Sequence, residues 1–406
     1  MDNLTPRERV ERAIRHQEPD RVPIDLGAMD STGITAKAYQ RLKDHLGITA
    51  GIPKVIDPYQ QVVIVEEAVL QRVRADVLPM PLGPREWRVG LLPDGRSSVQ
   101  YPTLWRTEPQ PDGSELALDP VGRPIARRAG AGWHFDPIDP PLAQAETVAD
   151  VERARAAIES FDWPFFADQD WAELEAEARR LHQESPYALM GNFCAHVFAA
   201  GQLLRGFEAF MMDLVANPIL AEAIMDAVVE VYLRRFERYA QAIGPFVQVI
   251  NVNDDLGTQD APQISPGLYR KRIKPYHQKL YRAMKAQCPA AIFLHSDGAI
   301  APLIPDLIDA GVDILNPIQV SARGMDPVDL KREFGRDLVF WGAGCDTQYV
   351  LPFGTPDEVR GEVRRRLETL MPGGGFVFTT VHNIQPEVPP ENVMAMYETV
   401  WEFGRY

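Results

Sequence analysis

A histidine and an aspartate stand two residues apart at the end of one predicted strand. The short apolar run Ala-Ile-Phe-Leu at residues 291–294 changes abruptly into His295-Ser296-Asp297-Gly298, and a helical pattern follows. In a parallel α/β barrel, functional groups lie where strands end and loops begin. An imidazole and a carboxylate can transfer protons or bind a metal there. We therefore expect function at His295 and Asp297, although a backbone contact or a simple turn is the alternative.

Polar side chains also follow the other predicted strands. If the strands form a barrel, their carboxyl ends converge on one mouth. The candidates for its lining are Asp25, Asn192, Asp254, Asp255, His295, Asp297, Asn316, Gln319, Cys345, Asp346, His382 and Asn383. The set holds carboxylates, imidazoles, amides and one thiol, but neither Arg nor Lys. It favours metal binding or proton transfer over the binding of a polyanion.

A subset of these residues offers nitrogen, oxygen and sulfur ligands for a metal. The predicted ligands are His295, Asp297, Cys345 and His382. Such a mixed set suits zinc, with an open position if only three residues bind. Zinc would lower the pKa of a bound thiol or water. The other interpretation of Cys345 is a buried, inert thiol. Asp254 and Asp255 could cap the following loop, and because adjacent side chains point in different directions, we expect one of the two to enter the mouth.

The composition limits the classes of function. The 406 residues carry a net charge of −15, from 42 basic and 57 acidic side chains. This charge argues against a general nucleic-acid or anionic-membrane surface. The cysteines Cys194, Cys288 and Cys345 form neither a disulfide framework nor a CxxC motif. Because the N-terminal segment has no apolar signal region and no run approaches membrane-spanning length, we expect a cytoplasmic protein.

Alternating strand and helix patterns predict a (β/α)8 TIM-type barrel as a single domain over residues 1–406. The apolar runs that predict strands lie near residues 22, 76, 187, 247, 291, 312, 338 and 376. Helical patterns alternate with these runs throughout, as the barrel requires. A doubly wound sheet is the alternative, but no GxGxxG motif follows any strand. Residues 58–73 are predicted to form one helix.

Residues 84–141 have a different composition, which is rich in Gly, Pro, Arg and Trp. Turn signals at Pro93-Asp94-Gly95 and Pro111-Asp112-Gly113 are each flanked by β-favouring segments. We predict a β-hairpin insertion in the barrel. The three tryptophans of this segment, Trp87, Trp105 and Trp133, could close a small hydrophobic layer over the barrel, or they could belong to a substrate lid.

Several stretches resemble the uroporphyrinogen decarboxylase superfamily, in its methyltransferase-like branch. They are DDLGTQDAPQISPGLYRKRIKPY (254–276), HSDGAIAPLIPDLIDAGVDILNPIQ (295–319), GGGFVFTTVHNIQPEVPPENVMAMYE (373–398), RERVERAIRHQEPDRVPID (7–25) and GFEAFMMDL (206–214). The resemblance rests on their order and spacing. It implies a β/α barrel with a site at its mouth. Family members decarboxylate the acetate arms of a tetrapyrrole or move methyl groups between a corrinoid and an acceptor.

The sequence departs from both family patterns. Decarboxylases of the family carry an Arg-rich segment near the first strand, but here no Arg lies between Arg21 and Arg41. Zinc methyltransferases of the family carry His-x-Cys where this chain has His295-Ser296-Asp297, and a second Cys near the position of His382. Decarboxylation of a polyacid is therefore disfavoured. A zinc site here would have oxygen and nitrogen ligands in place of these two thiols, and Cys345 could restore one sulfur ligand.

The resemblance and the residues together give three hypotheses. The first is a corrinoid-linked methyltransferase or O-demethylase-like enzyme that acts on a small methylated substrate and docks a separate corrinoid protein. In it, the catalytic residues are His295, His382 and Asp255, and the substrate-binding residues are Asp254, Asn316, Gln319 and Asp25. The second hypothesis is a decarboxylase of a small or tetrapyrrole carboxylic acid. The third is a non-catalytic barrel that only binds a small ligand.

Overall fold

The computed structural model describes residues 4–81, 83, 86–130, 132–161 and 169–406. The strands of this part are β1 (Val55–Asp57), β2 (Val62–Val63), β3 (Val77–Pro81), β4 (Trp87–Leu91), β5 (Ser98–Pro102), β6 (Arg106–Pro109), β7 (Glu115–Leu118), β8 (Pro124–Arg128), β9 (Asp136–Pro137), β10 (Ala188–Ala195), β11 (Val249–Asn253), β12 (Ala291–His295), β13 (Ile314–Asn316), β14 (Val339–Ala343) and β15 (Phe376–Thr379). The order β3-β10-β11-β12-β13-β14-β15 forms one parallel sheet.

Helices connect and cover these strands. In chain order they are α1 (Pro6–Ile14), α2 (Ala36–Leu46), α3 (Glu67–Val73), α4 (Val148–Arg153), α5 (Arg155–Glu159), α6 (Trp171–Glu184), α7 (Phe198–Arg205), α8 (Phe207–Ala216), α9 (Pro218–Ile243), α10 (Pro266–Leu268), α11 (Lys274–Gln287), α12 (Ile304–Ala310), α13 (Pro327–Phe334), α14 (Val350–Phe353), α15 (Pro356–Leu370) and α16 (Pro390–Phe403). Within the described ranges, no helix combines the length and the apolar character needed to cross a membrane.

Residues 22–26 occupy the eighth strand position and join the two edges of the parallel sheet. Asp25 N donates a hydrogen bond to Phe378 O on β15 at 2.9 Å, and Asp76 N donates to Ile24 O just before β3 at 2.7 Å. The predicted first strand is reduced to a short bridge, because Pro23 has no N–H to donate. With both edges joined, the predicted (β/α)8 TIM-type barrel is confirmed.

The interior of the barrel is filled by alternate side chains of its strands. This inner layer contains Val77, Ala188, Met190, Val249, Phe293, Ile314, Val339, Trp341 and Val377. Helix α1 adds Val10 and Ala13 to the same layer and so closes the end of the barrel at which the strands begin. A polar site that a substrate can enter therefore lies at the opposite end, where the strands terminate.

A buried ionic network reinforces the closed end. Asp76 is fully buried and accepts hydrogen bonds from Arg9 Nη1 at 2.6 Å and Arg21 Nη1 at 2.7 Å. Its carboxylate also accepts from Ile24 N at 2.7 Å. The network thus ties α1 and the eighth-strand segment to the start of β3.

The predicted turn signals of the insertion lie between antiparallel strands. β4 pairs with β5 around Gly95, and β6 pairs with β7 around Gly113; β8 and β9 extend the second sheet. Trp105 is almost fully buried and packs edge-on against Tyr59 and Phe135, with ring centroids 4.9 and 5.4 Å apart. Of the three tryptophans predicted to close a hydrophobic layer, Trp105 belongs to the core, and Trp133 packs against it while partly exposed.

One predicted helix is wrong. Residues 58–73 were expected to be helical throughout, but the helix begins only at Glu67, and the short strands β1 and β2 precede it. The Asp57 carboxylate accepts hydrogen bonds from Tyr59 N and Gln60 N, which makes a tight turn directly after β1. This side-chain competition for backbone donors favours a turn over a helix.

Candidate functional site

Three of the four predicted metal ligands meet at the barrel mouth. His295 ends β12, Asp297 follows two residues later, and His382 lies in the loop after β15. One ligand atom from each lies within 4.8 Å of the other two. Asp297 Oδ2 is 3.8 Å from His295 Nε2 and 3.6 Å from His382 Nε2, and the two imidazole centroids are 5.6 Å apart. We call these residues the His–Asp–His group.

A relay of hydrogen bonds fixes the orientation of His295. Asn316 Nδ2 donates to the carbonyl oxygen of Trp341 at 2.7 Å, so Asn316 Oδ1 must be the acceptor for His295 Nδ1, 2.6 Å away. The proton of a neutral His295 therefore resides on Nδ1. Its Nε2 lone pair, on the atom 3.8 Å from Asp297 Oδ2, can then bind a metal or accept a proton. The predicted substrate ligand Asn316 is fully buried and instead positions the imidazole.

Ser31 also contacts the imidazole and was not predicted from the sequence. Its Oγ lies 3.2 Å from His295 Nε2, and Ser31 is buried next to the eighth-strand segment. A small hydroxyl can donate to a neutral imidazole nitrogen or accept from a protonated one. The available signal was the run of small and polar residues at 31–33 directly after the predicted first strand.

Asp255 lies beside the group, as expected for a residue of the mouth. Its Oδ1 is 3.8 Å from His295 Nε2 and accepts a hydrogen bond from Asp297 N at 3.0 Å. The two loops approach closely because both carry a glycine: a Cβ on Gly298 would lie 2.5 Å from the carbonyl carbon of Gly257. Glycine is needed at residue 298 also for its positive φ of 92°.

Gln319 and the residues around His382 complete the rim. Gln319 Oε1 accepts from Gly298 N at 2.8 Å, so this predicted substrate ligand supports the loop that carries Asp297. Asn383 Oδ1 lies 3.1 Å from His382 Nδ1, and Asn383 Nδ2 donates to Gln60 Oε1 at 3.1 Å. His382 retains 28% side-chain exposure and Asp297 33%, against 6% for His295. The group is thus open on the side of His382 and Asp297.

The position of Asp254 differs from the expected substrate contact. Its carboxylate is buried and accepts from the backbone N–H groups of Val197, Phe198 and Ala199 at 2.7–2.9 Å, and His277 Nε2 lies 2.8 Å from Oδ2. Burial opposes ionisation, but these partners hold the pKa of Asp254 below its ordinary value. Asp254 therefore anchors the start of α7 to the end of β11, and its neighbour Asp255 is the one that enters the mouth.

Asp25 also lies deeper than a substrate ligand would. It is fully buried, with Oδ2 accepting from Trp341 Nε1 at 2.8 Å and Oδ1 from Ala28 N at 2.9 Å. Burial raises the pKa of Asp25 to about 6, against the opposing effect of these hydrogen bonds. Asp25 connects the eighth-strand segment to β14, beneath the residues that orient His295.

Cys345 is not part of the group, in contrast to its predicted role as a metal ligand. Its thiol is fully buried, 3.8 Å from Glu362 Oε2. Burial, together with the negative charge of Glu362, raises the pKa of Cys345 well above the usual range. A thiolate is disfavoured there, and a metal needs the thiolate form. The turn that carries Cys345 continues into Asp346, whose Oδ1 accepts from Gln348 N at 2.9 Å.

The donor set of the His–Asp–His group fits a zinc ion. Two imidazole nitrogens and one carboxylate oxygen are ligands that zinc accepts, and three protein ligands leave a position for a substrate. Asn316 holds His295 as metal-ligating histidines are commonly held, through the ring nitrogen that does not face the metal. Any zinc site of this group would therefore use nitrogen and oxygen ligands only.

A cavity of about 690 Å³ lies between the insertion and the barrel mouth. Asp119, Arg123 and Phe135 line it from the insertion, whereas Asn192 and Asn253 line it from the ends of β10 and β11. Asn253 is paired in register with His295, and the lining residue Gln60 bonds to Asn383 beside His382. Two lining residues of the cavity thus neighbour the His–Asp–His group, whose own three residues do not line it.

Sequence comparison finds relatives in one family. The matching family model is described as uroporphyrinogen decarboxylase (URO-D) and covers residues 143–403. Uroporphyrinogen decarboxylases of Thermus thermophilus and Methylococcus capsulatus are 25% and 31% identical over 233 and 139 residues, 55% and 34% of this chain. These alignments span 62% and 35% of the two relatives' own lengths. A third, from Syntrophotalea carbinolica, is 28% identical over 65% of this chain and 71% of the relative.

Among solved structures, a methyltransferase from Methanosarcina mazei has the same fold. The two chains superpose with a TM-score of 0.55 at 17% sequence identity, covering 98% of this chain and 99% of the other. The family match spans well over half of the chain, and it includes β10 to β15 and the whole His–Asp–His group. Together with the closed barrel and the polar strand ends at its mouth, this match places the chain in the uroporphyrinogen decarboxylase (URO-D) family.

Proposed function

We propose that the protein is a methyltransferase that demethylates a small substrate and passes the methyl group to a corrinoid carried by a separate protein. The observation that carries this proposal is the His–Asp–His group at the mouth, where, among the described residues, Asp255 and Asp297 form ion pairs with the imidazoles and with no Arg or Lys side chain. Asp255 and Asp297 lie within 3.8 Å of His295 Nε2. The two arginines that flank the first strand segment are engaged elsewhere, Arg21 with Asp76 and Arg41 with Pro386 O. A substrate with several carboxylates would be repelled here.

The side chains of the group can supply the proton that ether cleavage requires. When the bond between methyl carbon and oxygen breaks, the oxygen keeps the electron pair and must be protonated. The partly exposed imidazole of His382, whose Nε2 lies 3.6 Å from Asp297 Oδ2, can deliver that proton when it is protonated. His295 is held rigidly by Asn316, so it orients the substrate oxygen.

Zinc is the metal that we propose for this site, with His295, Asp297 and His382 as its ligands. When bound, zinc would supply Lewis acidity to the leaving oxygen or to a thiol in place of the proton from His382, because an imidazole nitrogen that binds a metal carries no proton. The docked corrinoid protein would cover the mouth, which is the side on which His382 and Asp297 remain partly exposed.

An assay with free cobalamin tests the proposed function. The purified protein is incubated with reduced cobalamin and a panel of methyl ethers and methylamines, and formation of methylcobalamin is followed by its absorbance. We expect transfer from at least one donor, at a rate proportional to the enzyme concentration. If no donor of the panel is demethylated while a carboxylic acid releases carbon dioxide, the methyltransferase proposal is wrong.

Decarboxylation is the second candidate, because the curated relatives bear that name. In that reaction an imidazole of the group would place a proton on the carbanion that forms as carbon dioxide leaves. Detection of labelled carbon dioxide from uroporphyrinogen or from smaller acids distinguishes this candidate from the first.

A further inference from the structure

The cavity beside the His–Asp–His group has a strongly acidic lining. Four aspartates face one arginine among its lining residues: Asp30, Asp57, Asp119 and Asp139 against Arg123. Arg123 Nε is paired with Asp119 Oδ2 at 2.8 Å, and that pair lies in the insertion at one side of the cavity. The remaining carboxyl groups, foremost Asp30 and Asp57, therefore have no cationic partner in the lining.

Asp30 and Asp57 interact with each other across this lining. Asp57 is 4% exposed and accepts from Tyr59 N at 2.8 Å and from Gln60 Nε2 at 3.0 Å. For Asp30, the described part of the chain provides no side-chain hydrogen bond. Burial and the charge of Asp57 raise the pKa of Asp30 to about 8, and burial raises that of Asp57, which His134 partly offsets. The pair therefore disfavours two negative charges unless a cation lies beside it.

The rest of the cavity wall is aromatic. Tyr59, Phe135, Phe161 and Phe193 contribute to the lining. The face of an aromatic ring attracts a cation, most strongly where water is excluded. Asn192 adds an Oδ1 atom that is buried and accepts no hydrogen bond from the described residues. The wall thus combines uncompensated carboxyl groups, ring surfaces and one free acceptor.

We propose that this cavity binds a small organic cation of the ammonium class, with its positive nitrogen beside Asp30 and Asp57 and its apolar substituents against the aromatic rings. A neutral ligand of the same size would leave the two carboxyl groups uncompensated, and an anion would be repelled. The further step, that this cation is part of the methylated substrate, rests on the proposed function and on the position of the cavity near the His–Asp–His group. The binding of a cation in the cavity does not depend on the proposed function.

The test compares two ligands of equal shape that differ in charge. Choline and its neutral isostere 3,3-dimethyl-1-butanol are titrated into the full chain at pH 7 and followed by calorimetry. We expect choline to bind at least ~10-fold more tightly, since a charge in a desolvated site is worth that much or more. In two buffers of different ionisation enthalpy, choline should also release protons from the Asp30–Asp57 pair, whereas the isostere should release none.

Two variants connect the binding to the carboxyl groups. Asp30→Asn should weaken choline binding by at least ~10-fold and leave the binding of the isostere unchanged. Asp57→Asn should act in the same direction, with circular dichroism as a check because Asp57 also holds the turn at Tyr59. Asp357→Asn is the control: it removes the same charge from a side chain that is 95% exposed, and it should have no effect.

Failure of this inference is distinguishable from failure of the proposed function. Equal affinities for choline and the isostere, or unchanged choline binding by Asp30→Asn, would overturn the cation site even if methyl transfer from neutral ethers is observed. Conversely, choline binding that depends on Asp30 in a protein without methyl-transfer activity would retain the cation site and refute the methyltransferase.

Discussion

His295 Nδ1 lies 2.6 Å from Asn316 Oδ1, and the amide nitrogen of Asn316 is held in turn by the carbonyl oxygen of Trp341. These two residues end neighbouring strands and are paired in register. The arrangement fixes both the tautomer and the ring orientation of His295. The geometry of His295 at the mouth thus depends on a residue that lies buried behind it.

Replacement of Asn316 should impair the chemistry more than substrate binding. For Asn316→Ala we expect kcat to fall about 10- to 100-fold with a smaller change in KM, because His295 loses its orienting partner. Asn316→Asp keeps an oxygen acceptor for His295 Nδ1 and should recover part of the loss. Steady-state kinetics with the donor found in the cobalamin assay measures both. Wild-type kcat in the alanine variant would show that the relay is unimportant.

Removal of the central imidazole should abolish most activity. His295→Ala is expected to lower turnover by at least ~100-fold, the usual scale for the loss of an acid–base group. The fold should remain intact, as judged by circular dichroism, since the imidazole is at the mouth rather than in the inner layer. His45→Ala serves as control because His45 is exposed on α2. If the activity of His295→Ala equals that of the control, the His–Asp–His group is not the catalytic site.

Metal content should follow the residues that the structure brings together. We expect about one zinc ion per chain in the purified protein and a large decrease in Asp297→Ala, because three ligands are the minimum for a catalytic zinc site. Cys345→Ser should retain the metal, since Cys345 lies outside the group. Elemental analysis of the three proteins checks this. Loss of the metal from Cys345→Ser together with its retention in Asp297→Ala would contradict the assigned ligand set.

Asp25 should make stability depend on pH in the opposite direction from a typical paired carboxylate. Its pKa of about 6 in the folded protein exceeds that of an unfolded aspartate, so the protonated form stabilises the fold. This stabilisation is complete below about pH 4 and is lost as the pH rises through about 6. The free energy of unfolding of the wild type, relative to Asp25→Asn, should fall by about 3 kcal/mol over this range. Denaturant titrations at several pH values measure it, and a flat difference would contradict the raised pKa.

The network at the closed end of the barrel should be important for stability rather than activity. Asp76→Ala leaves Arg9 and Arg21 without their buried partner and should cost about 3–5 kcal/mol. The exposed control Asp357→Ala should change the free energy of unfolding by less than about 0.5 kcal/mol. Urea unfolding compares the two, and similar values would show that the network does not stabilise the barrel.

The sequence by itself determined the fold and most of the mouth. Apolar runs that each end in polar residues specify buried parallel strands, and their alternation with helical patterns allows little besides a barrel. His295, Asp297, Asp255 and His382 were identified because a polar residue after a buried strand has few places to point other than the mouth. The first strand was placed correctly, although Pro23 reduces it to a bridge.

Only the tertiary structure decided which polar residues meet each other and which ones satisfy the backbone. Asp254 and Asp255 are neighbours in the sequence, yet the carboxylate of Asp254 accepts hydrogen bonds from the N–H groups at the start of α7, whereas Asp255 faces His295. The contact of Ser31 with His295 and the position of Asp30 and Asp57 in one cavity lining join segments that no local pattern connects. The physical reason is that local periodicity fixes the direction of a side chain within its own element, whereas its partners depend on how distant loops pack at the mouth.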